Sequence, residues 1–139
     1  MSTTSTAIAS SPVSRARTVA GWACSSLVVL FLLFDAVIKL PPIQPVTDTL
    51  RQLGFVPTPM LARGLGVMLL AITALYAWPR TARVGALLLA AYLGGAIAVQ
   101  LRAGNPVFSH LLFGVYLGVL AMIGLCLRDR GAWRALFPS

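Results

Sequence analysis

The sequence predicts an all-α membrane protein, a four-transmembrane up-down helix bundle with a short amphipathic helix in its first loop. The first observation behind this prediction is composition. The 139 residues are 58% hydrophobic and only 10% charged, with a mean hydropathy of +0.88, whereas a soluble domain carries about 25% charged residues. The second observation is that the apolar residues fall into four segments, each near the ~20 residues that an α-helix needs to cross a bilayer.

The four segments follow an N-terminal tail. Residues 1–18 are rich in serine and threonine and lack an apolar period, so we expect a disordered cytoplasmic tail. Residues 19–138 are predicted to form a single four-helix transmembrane domain. Its spans lie at about 19–40, 58–78, 82–101 and 107–127. The first run continues to Leu40 without an obvious cleavage site, which favours a retained span over a secretory signal.

The longest connection lies between the first two spans, near residues 41–57. Within it, Thr47 and Asp48 are residue types that begin helices, and Gly54 is one that ends them. One face of the intervening helix carries Val46, Leu50 and Leu53. A short helix with one apolar face is expected to lie on the membrane surface. The later connections are only a few residues long, so successive spans are antiparallel neighbours.

The positions of the basic residues predict the orientation of the bundle. With four spans, the two termini and the second connection share one side, which carries Arg15, Arg17, Arg80, Arg83, Arg128, Arg130 and Arg134. The other side carries Lys39, Arg51, Arg63 and Arg102. Because basic residues concentrate in cytoplasmic loops, the larger set places both termini in the cytoplasm.

Three kinds of function lack support in the sequence. The net charge of +8 comes from basic residues set singly at the ends of apolar runs, without the basic face that binds nucleic acid. Cys24 and Cys126 lie inside apolar runs and no C-x-x-C motif is present, so we interpret both as small buried hydrophobic residues. No second histidine, cysteine or carboxylate stands at metal-ligand spacing from His110, so no metal site is predicted.

Polar side chains gather at one end of the predicted bundle. This outer end carries Asp35, Lys39, Arg63, Gln100, Arg102, Asn105, Ser109 and His110. Asp35 lies inside the first span, where a carboxylate is costly and usually finds a partner, and Lys39 follows one helical turn later on the same face. Two interpretations stay open: a structural ion pair that orients the first span, or a carboxylate that transfers protons or binds a ligand.

Each remaining candidate also has a structural and a functional interpretation. His110, the only histidine, is either a polar contact at a helix start or an acid or base that works with Asp35. Asn105 and Ser109 are typical of a turn and a helix cap. Tyr92 and Tyr116, near mid-span, either pack in the core or line a pocket. Asp35 and His110 are thus the catalytic candidates, and the other residues of this set are ligand-binding candidates.

Small residues recur every four positions in the third span, at Ala86, Ala90, Gly94 and Ala98. Gly114 and Gly118 repeat this spacing in the fourth span. Stripes of small residues let helices pack closely in lipid. We interpret these stripes as packing surfaces within the bundle, with a homodimer interface as the alternative.

Several stretches of the chain carry a family resemblance. They are KL at 39–40, LGF at 53–55, the long run from Tyr76 to Asp129, and the closing LFP. The order PRT, LGGA and RAGNPVFSH within the long run is the most specific part. Together these stretches resemble the DoxX-like family of small bacterial membrane proteins, from about residue 20 to 138. Gln100 departs from the family pattern, in which histidine is common at that place, and so does Met122, near a common tryptophan.

The resemblance implies a multi-pass four-helix protein of the bacterial inner (cytoplasmic) membrane. The family takes its name from a subunit associated with a thiosulfate:quinone oxidoreductase. The resemblance therefore also implies a quinone as a ligand to consider and a redox protein as a hetero-oligomeric partner. The sequence itself contains no evident cofactor-binding motif.

Two functions follow from these observations. The first is an accessory or ligand-binding membrane protein, whose outer polar cluster binds a partner or a small lipophilic molecule. The alternative is a membrane-embedded enzyme or redox subunit that acts on a quinone-like or isoprenoid substrate by acid/base chemistry through Asp35 and His110. In the second case, Arg63 or Arg102 would hold a carbonyl or an anion. In both cases the protein is embedded in the lipid bilayer.

Overall fold

The computed structural model describes residues 12–41, 43–104 and 112–136, and every regular element in these ranges is a helix. The helices are α1 (Pro12–Lys39), α2 (Gln44–Gln52), α3 (Pro59–Ala77), α4 (Ala82–Arg102), α5 (Leu112–Arg128) and α6 (Arg130–Leu136). The all-α prediction is confirmed for these residues. α1, α3 and α4 are long and apolar enough to cross a membrane, and α5 is a shorter apolar helix of 17 residues.

The first helix begins earlier than predicted. α1 starts at Pro12, so residues 12–18 are helical and do not belong to a disordered tail, whereas residues 1–11 lie outside the described residues. Proline suits the first turn of a helix, because the N–H that it lacks would have no helical partner there. Arg17 ties this early part of α1 to the bundle, since its Nη2 donates to the carbonyl oxygen of Cys126 on α5 at 3.5 Å.

A short helix is present in the first connection, as predicted, but it begins one turn early. α2 starts at Gln44, with Pro45 in its first turn, instead of at Thr47. Gly54, whose φ is 80°, supplies the left-handed conformation that follows the end of the helix. Leu50 is buried where α2 packs on the start of α3.

The four long helices form a closed ring. α1 packs against α3 and α5, and α4 packs against the same two helices, so α1 and α4 lie diagonally opposite each other. Each helix turns an aliphatic face to the centre of the ring. The fully buried side chains at the centre include Val28, Leu32, Leu69 and Leu89.

The buried part of α4 lies toward one end of the ring. We call this end, where α5 finishes, the Arg128 end, and the opposite end, where α1 finishes, the Asp35 end. In α4 every buried residue lies between Ala82 and Leu93, and none of the described residues 94–102 is buried. α4 therefore contributes little to the core at the Asp35 end.

The closest contact between α1 and α5 depends on glycine and serine. A Cβ atom at Gly21 would lie 2.7 Å from the backbone nitrogen of Arg128, and one at Gly124 would lie 2.7 Å from Oγ of Ser25. Only small residues allow the backbones to approach so closely, as expected for helices that pack in lipid.

The predicted small-residue stripes pack only in part. Gly114 and Gly118 of α5 face α4, where a Cβ atom added at each would lie 3.2 Å from Cγ1 of Ile97 and 3.5 Å from Cδ1 of Leu93. On α4, however, only Ala86 is buried, and the rest of its stripe is exposed. The reason is helical geometry: four residues advance about 40° more than one full turn, so a strict four-residue repeat rotates out of the interface.

Candidate functional site

Asp35 and Lys39, predicted members of the outer polar cluster, form an ion pair on α1. Lys39 Nζ lies 2.5 Å from Oδ1 of Asp35 and donates to the Asp35 carbonyl oxygen at 3.4 Å. The side chains are 35% exposed for Asp35 and 22% for Lys39. The pair is therefore half-buried, and most other residues of α1 are apolar.

Tyr92 lies on α4, the helix diagonally opposite α1. It is half-buried and packs against the core. Asp35 and Tyr92 are thus half-buried polar residues on opposite helices of the ring.

The other predicted members are joined less closely to this group. Arg63 Nε donates to the carbonyl oxygen of Leu40 at 3.3 Å and links α3 to the end of α1. Gln100 is half-buried and has a partner, whereas Arg102 is exposed. Tyr116 is 64% exposed and does not line the interior of the ring, in contrast to its prediction as a pocket residue. Three further predicted residues, Asn105, Ser109 and His110, lie outside the described residues.

A second polar cluster, at the Arg128 end, was not predicted. The Tyr76 hydroxyl donates to the carbonyl oxygen of Ala121 at 2.7 Å and lies 3.2 Å from Oγ of Ser25. Tyr76 and Ser25 are buried. One buried tyrosine therefore joins α3 to both α5 and α1 through its hydroxyl.

Arg128 lies at the edge of this cluster and contacts Tyr76. Its Nη2 donates to the carbonyl oxygen of Tyr76 at 2.6 Å, and its guanidinium lies 5.0 Å and 4.8 Å from the ring centroids of Trp22 and Tyr76. Both distances are typical of cation–π contacts. Arg128 is thus more than one of the basic residues at the ends of apolar runs, because it bonds and packs within the bundle. The sequence signal was an arginine and two aromatic residues near helix ends, but only the packing of three helices brings them together.

Asp129, in the break between α5 and α6, has two roles. Its carboxylate accepts hydrogen bonds from Arg83 at 2.8 Å and 3.1 Å, and its Oδ1 also accepts from the backbone N–H of Gly131 at 2.8 Å, which caps α6. The hydrogen bond from Arg83 lowers the pKa of the Asp129 carboxyl, partial burial opposes this shift, and the backbone N–H groups add to it.

The lowered pKa of Asp129 predicts a contribution to acid stability. A carboxyl whose pKa is lower in the folded state stabilises the protein at a pH above its unfolded value, and the effect is lost as the pH falls through the folded pKa. We expect the melting temperature of the wild type to fall between about pH 5 and pH 2, and to fall less in Asp129→Asn, because asparagine still caps a helix but does not titrate. Circular dichroism in detergent measures both curves.

The matched control for this titration is Asp48→Asn. Asp48 forms an exposed pair with Arg51 at 3.2 Å on α2, and such pairs contribute little to stability. The control should follow the wild-type curve. Equal acid dependence in Asp129→Asn and the wild type would contradict the assigned role of the Arg83–Asp129 pair.

Comparison with models of known protein families identifies a match that covers most of the chain. The model of the DoxX-like family matches residues 23–124, a range that includes α2, α3 and α4 and most of α1 and α5. Asp35, Lys39, Tyr76 and Tyr92 lie inside the match, and Arg128 lies after it. Comparison with curated proteins and with solved structures found no match.

Proposed function

The chain belongs to the DoxX-like family, and we propose that it is an accessory or ligand-binding membrane protein whose Asp35 end binds a partner or a small lipophilic molecule. The observation that carries this proposal is the half-buried Asp35–Lys39 pair. An ionised side chain inside an apolar span is costly, up to about 3 kcal/mol at mid-helix, and such residues usually serve a function.

The placement of the pair argues against a purely structural role. Both residues belong to α1, so the ion pair links α1 to no other helix. A half-buried ion pair that does not join two helices is available to bind a polar head group.

The loose packing of α4 supports access for a lipophilic molecule. None of the described residues 94–102 is buried, and a Cβ atom at Gly94 or Gly95 would meet no atom within 4 Å. An apolar molecule lying along this part of α4 would lie next to Tyr92 of the same helix.

A second candidate function is acid/base chemistry on a quinone-like or isoprenoid substrate. The half-buried carboxylate of Asp35 favours it, because a carboxylate in such a place can exchange a proton with a bound carbonyl compound. His110, the other catalytic candidate, lies outside the described residues. In this function the same Asp35 end binds the molecule, so the ligand test below applies to both candidates.

We also propose four spans with both termini in the cytoplasm, in the inner membrane of a bacterium. α5 packs along α1 and α4, so it occupies the same layer as the longer helices, and its 17 residues extend about 26 Å. The larger set of basic residues lies at the Arg128 end and at the termini, which supports a cytoplasmic position. An active alkaline phosphatase fused to the C-terminus would contradict this orientation.

Native mass spectrometry of the protein in mild detergent tests the proposed ligand site. We expect the wild type to retain a partner protein or a small molecule, and Asp35→Asn to lose it while the free energy of unfolding changes by less than about 1 kcal/mol. The small change has a physical reason: Lys39, in the last turn of α1, still interacts favourably with the helix dipole. The control Asp48→Asn removes a carboxylate from α2 and should leave retention unchanged.

The outcomes separate the alternatives. The mass of a retained molecule distinguishes quinone, isoprenoid and phospholipid, and a doubled or larger protein mass shows a homodimer or a hetero-oligomer. A bare wild-type monomer would contradict the proposal. A large loss of stability in Asp35→Asn with unchanged retention would instead assign the pair a structural role.

A further inference from the structure

A cavity lies at the Arg128 end, where α1, the turn between α3 and α4, and the junction of α5 and α6 meet. Its volume is 580 Å³, within the range of about 300–1,000 Å³ that is typical of ligand pockets. Trp22 forms part of its wall, and its charged lining consists of Arg80, Arg83, Arg128, Asp129 and Arg130. The cavity is separate from the Asp35 end.

Two arginines of the cavity lining, Arg80 and Arg128, have no carboxylate partner among the described residues. The carboxylate of the lining, Asp129, is engaged by Arg83 through two hydrogen bonds. The sequence contains only two other acidic side chains. Asp35 lies near the other end of α1, and Asp48 is paired with Arg51 on α2. An external anion would therefore balance the charges of Arg80 and Arg128.

Arg128 is a cation of the cavity lining whose hydrogen-bond donors are only partly satisfied. Its Nη2 bonds to the Tyr76 carbonyl oxygen, but its Nε and Nη1 are buried and have no acceptor among the described residues. The rings of Trp22 and Tyr76 flank the guanidinium and fix its position. A guanidinium held in place beside the cavity, without a carboxylate partner among the described residues, favours an anion in that cavity. The planar fork of arginine suits phosphate in particular.

The cavity lies at the membrane depth at which lipid headgroups are found. Arg83 is the second residue of the candidate span α4, and Arg128 is the last residue of α5, so the basic groups lie at the depth of headgroups. Leu87, one turn beyond Arg83 on the same face, is 68% exposed. A headgroup held at Arg83 would thus let its acyl chain run along the apolar surface of α4.

We propose that this cavity binds the phosphate group of an anionic phospholipid. Basic pockets between transmembrane helices recognise anionic headgroups in this way. The acyl chains would lie on α4 beside Leu87, and the phosphate would neutralise the charges of Arg80 and Arg128. This site is independent of the function proposed for the Asp35 end.

The test uses the full-length protein in detergent, with phosphatidylglycerol as the probe and phosphatidylcholine as the neutral comparison. Native mass spectrometry counts bound lipids, and thermal unfolding measures the stabilisation that binding confers. We expect phosphatidylglycerol to bind more tightly than phosphatidylcholine. Arg80→Gln, on the exposed turn, should weaken that binding about five- to tenfold. Arg128→Gln should weaken it at least as much.

Two further arms make the result specific. Arg51→Gln removes the same charge from α2, outside both proposed sites, where the arginine is exposed, and should leave phosphatidylglycerol binding unchanged. Millimolar inorganic phosphate, without added lipid, should not reproduce the stabilisation. Equal binding of the two lipids, or equal losses in Arg80→Gln and Arg51→Gln, would overturn the proposal. An arginine-dependent effect of inorganic phosphate alone would overturn the lipid source in favour of a soluble phosphate.

Discussion

Replacing Tyr76 by alanine is expected to lower the free energy of unfolding by about 3–5 kcal/mol, the range for removing a large aromatic side chain from a core. Tyr76 is the largest of the fully buried side chains among the described residues. Its hydroxyl bonds to Ala121 on α5 and Ser25 on α1, and its ring supports the guanidinium of Arg128. The substitution therefore removes contacts with two helices at once. Thermal unfolding in detergent, followed by circular dichroism, measures the loss.

Tyr76→Phe is the matched control for the ring. It keeps the aromatic volume and removes only the hydroxyl, which leaves the Ala121 carbonyl and Ser25 hydroxyl without that partner and costs about 1–2 kcal/mol. The difference between the two variants reports the packing of the ring. If alanine destabilised the protein no more than phenylalanine did, Tyr76 would not hold the core together.

Gly85→Ala should produce the second large effect. A Cβ atom at Gly85 of α4 would lie 2.5 Å from Cα of Tyr76 and 2.6 Å from the carbonyl carbon of Leu75, both in the backbone of α3. Backbone atoms cannot rotate away as a side chain can, so the two helices must separate. Overpacking of this kind costs about 1–3 kcal/mol or more, which outweighs the gain of up to about 1 kcal/mol in helix propensity. The unfolding temperature in detergent checks this result.

Gly94→Ala provides the control in the same helix. No atom within 4 Å would meet the added Cβ at Gly94, so only the favourable propensity remains and the variant should be as stable as the wild type or slightly more so. Equal destabilisation by the two substitutions would contradict the close approach of α3 and α4 at Gly85.

The helical fold was predictable because it depends on long apolar runs, which are visible in the sequence of each segment. Long apolar runs require hydrogen-bonded helices in lipid, and proline and glycine mark the breaks between them. The ends were less predictable. The early start of α1 depends on Pro12 and on a hydrogen bond from Arg17 to Cys126, which is distant in sequence. Similarly, α2 begins near Pro45 because proline suits a first turn, without a side-chain cap at Ile43.

The two polar clusters differ in predictability for a related reason. The Asp35–Lys39 pair follows from helical spacing alone, because residues four apart share a face. The cluster around Arg128 joins Trp22 of α1 and Tyr76 of α3 to the end of α5. Its geometry depends on helix rotation and close packing at small residues such as Gly21 and Gly124. The periodicity of a single segment determines neither the rotation of a helix nor its distance from its neighbours. This cluster could therefore be identified only from the structure.

The length of α1 has a consequence for how the protein sits in bilayers of different thickness. Its 28 residues extend about 42 Å, which exceeds the hydrocarbon core of ~30 Å and is close to the whole bilayer with its headgroups. Arg15 and Lys39 near its two ends favour opposite polar layers. A thinner bilayer therefore increases the tilt of α1. Because α3 and α5 pack along this helix, hydrophobic mismatch would tilt the ring as one body.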